Sequence, residues 1–504
     1  MAEQNDFLGK EVASSAMWTG VSTAGKQLMQ AGMLAIVARH VGLADYGLMA
    51  MVTTVTNFLL NFRDLGTGPA LVQRKNLSES VVASVFWLNV FMGILLLAAV
   101  AILSWPIAWF NRQEALVPLV QFTAIGFLVS SLGVVPMSLL QREMRFRALA
   151  FAELGGFFTG AATAIYLALN NHGVWSLAWS SMTNICSTVA LFWAACGWRP
   201  RSKGSIAEIK SLTGFSLNLL GFTSINYWSR NADALMVSRI LGDVAMGLYG
   251  QAYNVMMFPV QNITQTLGRV LFPAMSRMQT DNERFRAAYA RVCGVIALAV
   301  FPIMTGLMVV VKPFVITLLG WKWLPMAPVL LILAPVGMLQ SISSMIGLIL
   351  TAKGRTDLMF RMGMAMFCIL VPAVWAGTGW GIEGVAAAYA LVNLVLVYPM
   401  CRISFPLIDL SFGKLLLSLW PTLLASGLMS GVTYGWLRMI IWAGMSEPVL
   451  QLLSSVAIGV VSYLVALAWV KPVAVIELAE LMSDSGHDRA ARLIFRLTDR
   501  NPIR

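Results

Sequence analysis

The chain has 504 residues, of which 58% are hydrophobic and only 12% charged, and its mean hydropathy is +0.75. That composition excludes an ordinary soluble globular protein. The net charge of +12 would suit a nucleic-acid binder, but basic residues gathered in the short loops on one side of a membrane account for it, so no nucleic-acid partner is expected.

The N-terminus, "MAEQNDFLGKEV", lacks the basic region and small-residue cleavage site of a signal peptide and is expected to be retained. Apolar runs long enough to cross a bilayer then recur along the chain. They predict fourteen transmembrane helices, near 12–38, 44–62, 80–104, 114–140, 148–169, 174–197, 211–239, 244–271, 287–316, 325–351, 357–379, 382–400, 413–437 and 448–470. The alternating ten-residue segments of a membrane β-barrel do not occur. The predicted fold class is therefore an all-α integral membrane protein. Its even number of spans places both termini on one side.

The loops support that count. One side gathers Arg74 and Lys75, Arg142, Arg145 and Arg147, Arg199, Arg201, Lys203 and Lys210, Arg277, Arg284 and Arg286, Lys353 and Arg355, and Arg402 and Lys414. The other side holds little beyond Arg39, Arg112, Arg239, Lys322 and Arg438. The positive-inside rule makes the first side cytoplasmic. Trp105, Trp109, Trp321, Trp323, Trp380 and Trp442 then form an outer interfacial belt. Pro136, Pro259, Pro302 and Pro335 are expected to kink their spans. The tail beyond Lys471, with "ARLIFRLTDR", reads as an amphipathic segment on the inner surface.

The five cysteines, Cys186, Cys196, Cys293, Cys368 and Cys401, form no CxxC pair and read as small buried packing residues. The three histidines, His40, His172 and His487, lie far apart. No metal site, cofactor or catalytic cluster is expected.

The chain repeats. "VARHVGLADYGL" at 37–48 matches "VSRILGDVAMGL" at 237–248, an offset of 200 without a gap. "DLGTGPALVQR" at 64–74 resembles "TLGRVLFPAMSR" at 266–277, and "NHGVWSLAW" at 171–179 resembles "GWGIEGVAAAY" at 379–389. The matches keep their order and a nearly constant spacing. They predict two pseudo-symmetric six-helix lobes, 1–205 and 206–408, around a central cavity. Two additional helices (409–471) and the cytoplasmic tail (472–504) follow. Two lobes of six spans share an orientation and are related by a pseudo-two-fold along the membrane normal.

The repeat also pairs polar residues: Lys26 aligns with Asn226 and Gln30 with Arg230. Ser15, Thr19, Ser22, Lys26 and Gln30 make one stripe on the first helix, and Asn226, Arg230 and Asp233 share a face of the seventh. With Lys210 and Arg239 at its two ends, the seventh helix spans roughly 43 Å; Arg230 lies roughly 13 Å and Asn226 roughly 20 Å below Arg239. Polar groups at that depth avoid lipid best by facing each other across the pseudo-axis. Arg230 and Asp233 either form a closed pair that only packs helices or line a cavity. Arg63 and Asp64, and likewise Arg269, are either interfacial or at the cavity mouth. Glu153 and Glu383 are buried-acid candidates for proton coupling, or simply paired or capping groups. Gly156 and Gly160 form a small-xxx-small pair suited to close helix packing.

"FSLNLLGFTSINYWSRNADALMVSRILG" at 215–242, "PMSLLQREMRFRALAF" at 136–151 and "FPVQNITQTLGRVLFPAMSR" at 258–277 resemble bacterial polysaccharide exporters of the multidrug/oligosaccharidyl-lipid/polysaccharide (MOP) superfamily, in particular its colanic-acid-exporter-like branch. The resemblance implies a flippase that moves an undecaprenyl-pyrophosphate-linked oligosaccharide to the outer leaflet by alternating access, often coupled to a proton or sodium gradient. It also implies an inner-membrane location. The expected partners are that glycan lipid, the bilayer, and the polysaccharide polymerase and chain-length machinery; a monomer is expected.

For such a cargo, Lys26 and Arg230 would supply cationic contacts to the pyrophosphate. Asn218, Asn226 and Asn231 would hydrogen-bond sugars, Tyr227 or Trp228 would stack on a sugar face, Gln30 belongs to the same substrate-binding set, and Asp233 would hold Arg230 in place. The alternative, a multidrug exporter of the same superfamily, fits a cationic cavity poorly, because organic cations prefer acidic and aromatic sites. A membrane polymerase or ligase would need a larger outer loop than any present, and no catalytic constellation is visible.

Overall fold

The computed structural model describes residues 2–60, 62–63, 67–74, 77–202, 227–228, 231–472 and 474–475. Every regular element among them is helical. Nine helical segments among them are long and apolar enough to cross a membrane. Each predicted span except 211–239 falls on a described helix; most of 211–239, and the tail beyond Val475, lie outside the described residues.

The chain divides into two compact units, Met1–Gly247 and Leu248–Arg504. The first contains α1 (Ala2–His40), α2 (Leu43–Leu60), α3 (Thr67–Gln73), α4 (Glu79–Asn111), α5 (Leu116–Leu132), α6 (Val134–Arg142), α7 (Phe146–Leu169) and α8 (Val174–Ala195). A π-helical turn, Val237–Leu241, leads into α9 (Gly242–Arg277). The second unit continues α9 and adds α10 (Asn282–Leu318), α11 (Ala327–Ser343), α12 (Ile346–Ala352), α13 (Thr356–Gly377), α14 (Gly381–Ser404), α15 (Phe412–Trp442) and α16 (Pro448–Val470).

Within the first unit α7 packs on α8 and α1, α4 on α5, and α3 on α6. The α7–α8 approach is close because of its glycines. A Cβ at Gly156 would lie 1.8 Å from Thr188 Oγ1, and one at Gly160 2.8 Å from the Ser180 carbonyl. Ser180 Oγ donates to the Gly160 carbonyl at 2.8 Å. In the second unit α15 packs on α16 and α10, α13 on α14, and α11 on both α10 and α14.

The repeat has a backbone counterpart. Met144 (φ 55°) and Gly354 (φ 68°) each precede the N-cap of a helix, and those N-caps match: Arg145 (φ −81°, ψ 52°) and Arg355 (φ −92°, ψ 55°). Gly173 (φ 52°, ψ −130°) and Gly381 (φ 70°, ψ −157°) stand at the starts of α8 and α14 in similar left-handed conformations. The predicted single spans 114–140 and 325–351 are each broken, into α5/α6 and α11/α12. A cation ties down each short second helix. Arg142 Nη1 donates to the Leu71 carbonyl at the end of α3 (3.0 Å), and Lys353 Nζ donates to Asn282 Oδ1 at the start of α10 (2.6 Å).

The first unit also holds a reciprocal crossing. A Cβ at Gly47 would sit 1.8 Å from the Asp243 carbonyl oxygen, and a Cβ at Gly247 2.2 Å from that of Leu43. The positions 43/47 and 243/247 are the repeat equivalents, so each glycine admits the other strand of the repeat to backbone contact.

Two prolines show how a broken helical bond is repaired. Pro136 cannot donate to the Leu132 carbonyl, and Trp193 Nε1 does so at 3.0 Å. Pro302 cannot donate to the Leu298 carbonyl, and Tyr463 Oη does so at 2.8 Å. In α10 the non-helical residue is Val310 (φ −98°, ψ 17°), three residues before Pro313; the distortion lies ahead of that proline and not at Pro302. Two further expectations need correcting. Trp323 is fully buried, because the 3₁₀ turn Trp321–Met326 directs it inward, while Trp105, Trp109, Trp321, Trp380 and Trp442 are exposed. Cys186 and Cys368 are exposed and not buried; Cys196, Cys293 and Cys401 are buried, and all five are free thiols.

Candidate functional site

Lys26 lies on α1, fourteen residues before its C-terminal His40, which is about 21 Å along the axis. If residues 12–38 span the membrane, as the sequence predicts, a lysine at that position lies too far from either end to snorkel to an interface. The structure pairs it with Glu153 of α7: Lys26 Nζ forms a salt bridge to Glu153 Oε2. Ser22, one helical turn away on α1 and buried, donates to the same oxygen at 3.2 Å. The pair is made possible by α1 packing on α7, where Gly25 leaves room for Leu154; a Cβ at Gly25 would be 3.0 Å from Leu154 Cδ2. The two side chains keep 33% and 37% of their surface exposed, so the pair remains accessible. Further toward the start of α7, the Arg147 guanidinium lies 5.4 Å from the Trp18 ring centre and 5.7 Å from that of Phe151.

A second cluster joins α2 to Tyr227 and Trp228. Tyr227 Oη donates to the Thr54 carbonyl at 2.6 Å. Phe58 contacts both Tyr227 (5.5 Å between ring centres) and Trp228 (4.8 Å). Both aromatics are half-buried. Asn231 Nδ2 turns back to the Tyr227 carbonyl at 2.8 Å. Asp233 is buried. Arg239, on the π-helical turn, lies 5.6 Å from the Phe110 ring centre.

The other sequence candidates are placed as follows. Gln30 is exposed on α1. Arg63 follows α2 and is half-buried. Asn218, Asn226, Arg230 and Asp64 lie outside the described residues, and Arg269 is on α9 with its side chain outside them. Glu383 is exposed in the first turn of α14, where a carboxylate is favoured by the helix dipole. The expectation that it is a buried acid is therefore not met. Of the residues described, the structure brings together Lys26 with Glu153, and Tyr227 with Asn231. Sequence reasoning missed the pairing of Lys26 because the partner is 127 residues away. The available signal was that Lys26 and Glu153 are each lone charges in apolar spans, and such charges seek one another.

Comparison with known proteins gives this arrangement its setting. The chain is 29% identical over 437 residues to the lipopolysaccharide biosynthesis protein WzxC of Escherichia coli (strain K12), covering 83% of this chain and 87% of that one. It is 29% identical over 392 residues to the teichuronic acid biosynthesis protein TuaB of Bacillus subtilis (strain 168), covering 77% and 80%. In fold it is similar to the lipid II flippase MurJ in an inward closed conformation, with a TM-score of 0.69 at 13% identity, over 89% of this chain and 97% of that one. It is also similar to an inward-facing multidrug resistance MATE family transporter of the MOP superfamily, with a TM-score of 0.63 at 12% identity, over 76% and 94%. The polysaccharide biosynthesis protein family matches residues 36–328, well over half of the sequence, and the chain belongs to that family.

Proposed function

We propose that this protein is a flippase that moves undecaprenyl-pyrophosphate-linked oligosaccharide repeat units across the bacterial inner membrane by alternating access, for exopolysaccharide or lipopolysaccharide synthesis. The observation that carries this reading is Lys26: a polysaccharide-biosynthesis family member holds an accessible lysine fourteen residues inside the end of α1, tethered by one carboxylate. A pyrophosphate can replace that carboxylate, and the cation then substitutes for the water the headgroup loses.

The working plan is fourteen spans with both termini cytoplasmic. Two six-helix lobes, 1–205 and 206–408, enclose the cavity, followed by two extra helices and an amphipathic tail. The reciprocal Gly47–Asp243 and Gly247–Leu43 contacts support the pseudo-two-fold. Arg230, Asn218, Asn226 and Asn231 are proposed to add to the site, Asp233 to steady Arg230, and Arg63, Asp64 and Arg269 to line the mouth. Of the two carboxylates weighed for proton coupling, Glu153 is favoured, because it shares a pair with Lys26 and Glu383 is exposed at a helix end. The protein acts as a carrier and not an enzyme, works as a monomer, and hands its cargo to the polymerase and chain-length machinery.

The test is lipid analysis of a strain lacking the gene. Lipid-linked repeat units should accumulate on the inner leaflet and surface glycan should fall. Normal surface glycan with no accumulation would refute the reading, and hypersensitivity to cationic drugs in its place would favour a multidrug exporter.

A further inference from the structure

The second unit contains a polar cluster on three packed helices. Gln340 of α11 donates through Nε2 to Tyr389 Oη (2.6 Å) and to Asn393 Oδ1 (3.4 Å), both on α14. Tyr253 of α9 brings its hydroxyl to 3.4 Å from Tyr389 Oη, and their rings meet edge to face at 5.9 Å. Asn393 Nδ2 donates to the Tyr389 carbonyl at 2.8 Å.

The depth is consistent across the three helices. Tyr253, Gln340, Tyr389 and Asn393 lie eleven, thirteen, eight and twelve residues from the starts of α9, α11 and α14. At 1.5 Å per residue this is about 12–20 Å, near the middle of a bilayer. Alternate helices of an antiparallel bundle start on the same face, so these depths are comparable.

Two facts distinguish this cluster from helix-packing glue. Only Tyr389 is buried; Tyr253, Gln340 and Asn393 are half-exposed. A half-exposed carboxamide at this depth cannot face hydrocarbon at tolerable cost, so its open side faces water or a ligand. The amides also have capacity beyond these bonds. The two N–H groups of Gln340 serve Tyr389 and Asn393, leaving its carbonyl oxygen for a donor; Asn393 keeps a second N–H. The cluster carries no formal charge. Neutral amides and phenols beside an aromatic face match the hydroxyls and apolar faces of a sugar ring, not a phosphate or a cation.

We propose that Gln340, Asn393 and Tyr253, backed by Tyr389, form a sugar-binding site that reads the glycan of the cargo. The proposal rests on the flippase reading and adds to it an uncharged saccharide site in the second unit, separate in chemistry from the cationic pyrophosphate contact of Lys26 in the first.

The test uses purified full-length protein in nanodiscs and two probes. One is undecaprenyl pyrophosphate. The other is the soluble oligosaccharide released by mild acid from the lipid-linked pool of the deletion strain. Gln340→Met and Asn393→Leu should each weaken oligosaccharide binding about tenfold or more, as a site that loses a hydrogen-bonding partner does, while undecaprenyl pyrophosphate binding stays within about twofold. Tyr253→Phe keeps the ring and the packing, and should weaken the oligosaccharide about threefold to tenfold. It keeps the test decisive if an amide variant fails to fold, as judged by monodispersity. Oligosaccharide binding unchanged in these variants would overturn the sugar site and leave the flippase reading standing, and so would an equal loss of both probes by folded protein. A wild-type protein that binds neither probe would overturn both.

Discussion

Replacing Glu153 by Gln removes the counter-charge of Lys26 without removing volume. Two unit charges 4 Å apart at an effective dielectric constant of about 20 attract by about 4 kcal/mol. The side chains here are 33% and 37% exposed, so competing hydration and side-chain entropy reduce the net value to about 1–2 kcal/mol. An incoming anion must displace Glu153 and forgo that amount. Glu153→Gln should therefore bind undecaprenyl pyrophosphate about 5- to 30-fold more tightly than wild type. Lys26→Ala should bind it about 10- to 150-fold more weakly, having lost a charge-assisted bond. The assay is equilibrium binding in nanodiscs, with thermal stability followed in parallel, since Glu153→Gln leaves a lysine without its partner and should lower the melting temperature. The opposite signs are the point. A pair that only holds α1 to α7 would shift both variants the same way, through stability alone. If Glu153→Gln weakens anion binding as Lys26→Ala does, or leaves it unchanged, the anion-site argument fails.

Three further outcomes follow from the packing. Gly47→Ala and Gly247→Ala should each sharply lower the yield of monodisperse protein, because their Cβ atoms would lie 1.8 Å and 2.2 Å from backbone oxygens, whereas Gly427→Ala, with nothing within 4 Å, should behave as wild type. Tyr463→Phe should cost about 1–3 kcal/mol in thermal or denaturant unfolding, since the Leu298 carbonyl freed by Pro302 loses its donor; equal stability would mean water or a neighbour replaces it. Arg142→Ala removes the bond to the Leu71 carbonyl at the end of α3 and should destabilise the first unit by about 1–3 kcal/mol, with Lys353→Ala acting comparably on the second.

The membrane class and the positions of the described helices were legible in the sequence, because hydrocarbon demands long apolar runs and leaves little freedom about where they begin. The repeat was legible in the glycines around 42–47 and 242–247, which reappear as the reciprocal crossing. Partners were not. The Lys26–Glu153 pair, the repair of Pro136 by Trp193 and of Pro302 by Tyr463, and the assembly of Gln340 with Tyr253, Tyr389 and Asn393 all join residues dozens to more than a hundred positions apart. Trp323 shows the same limit in one side chain: composition assigned it to an interfacial belt, and a single 3₁₀ turn buried it. Hydrophobic periodicity depends on each helix alone and is written along the chain. Which polar group meets which is set by helix rotation and crossing, and those depend on the packing of every neighbour at once.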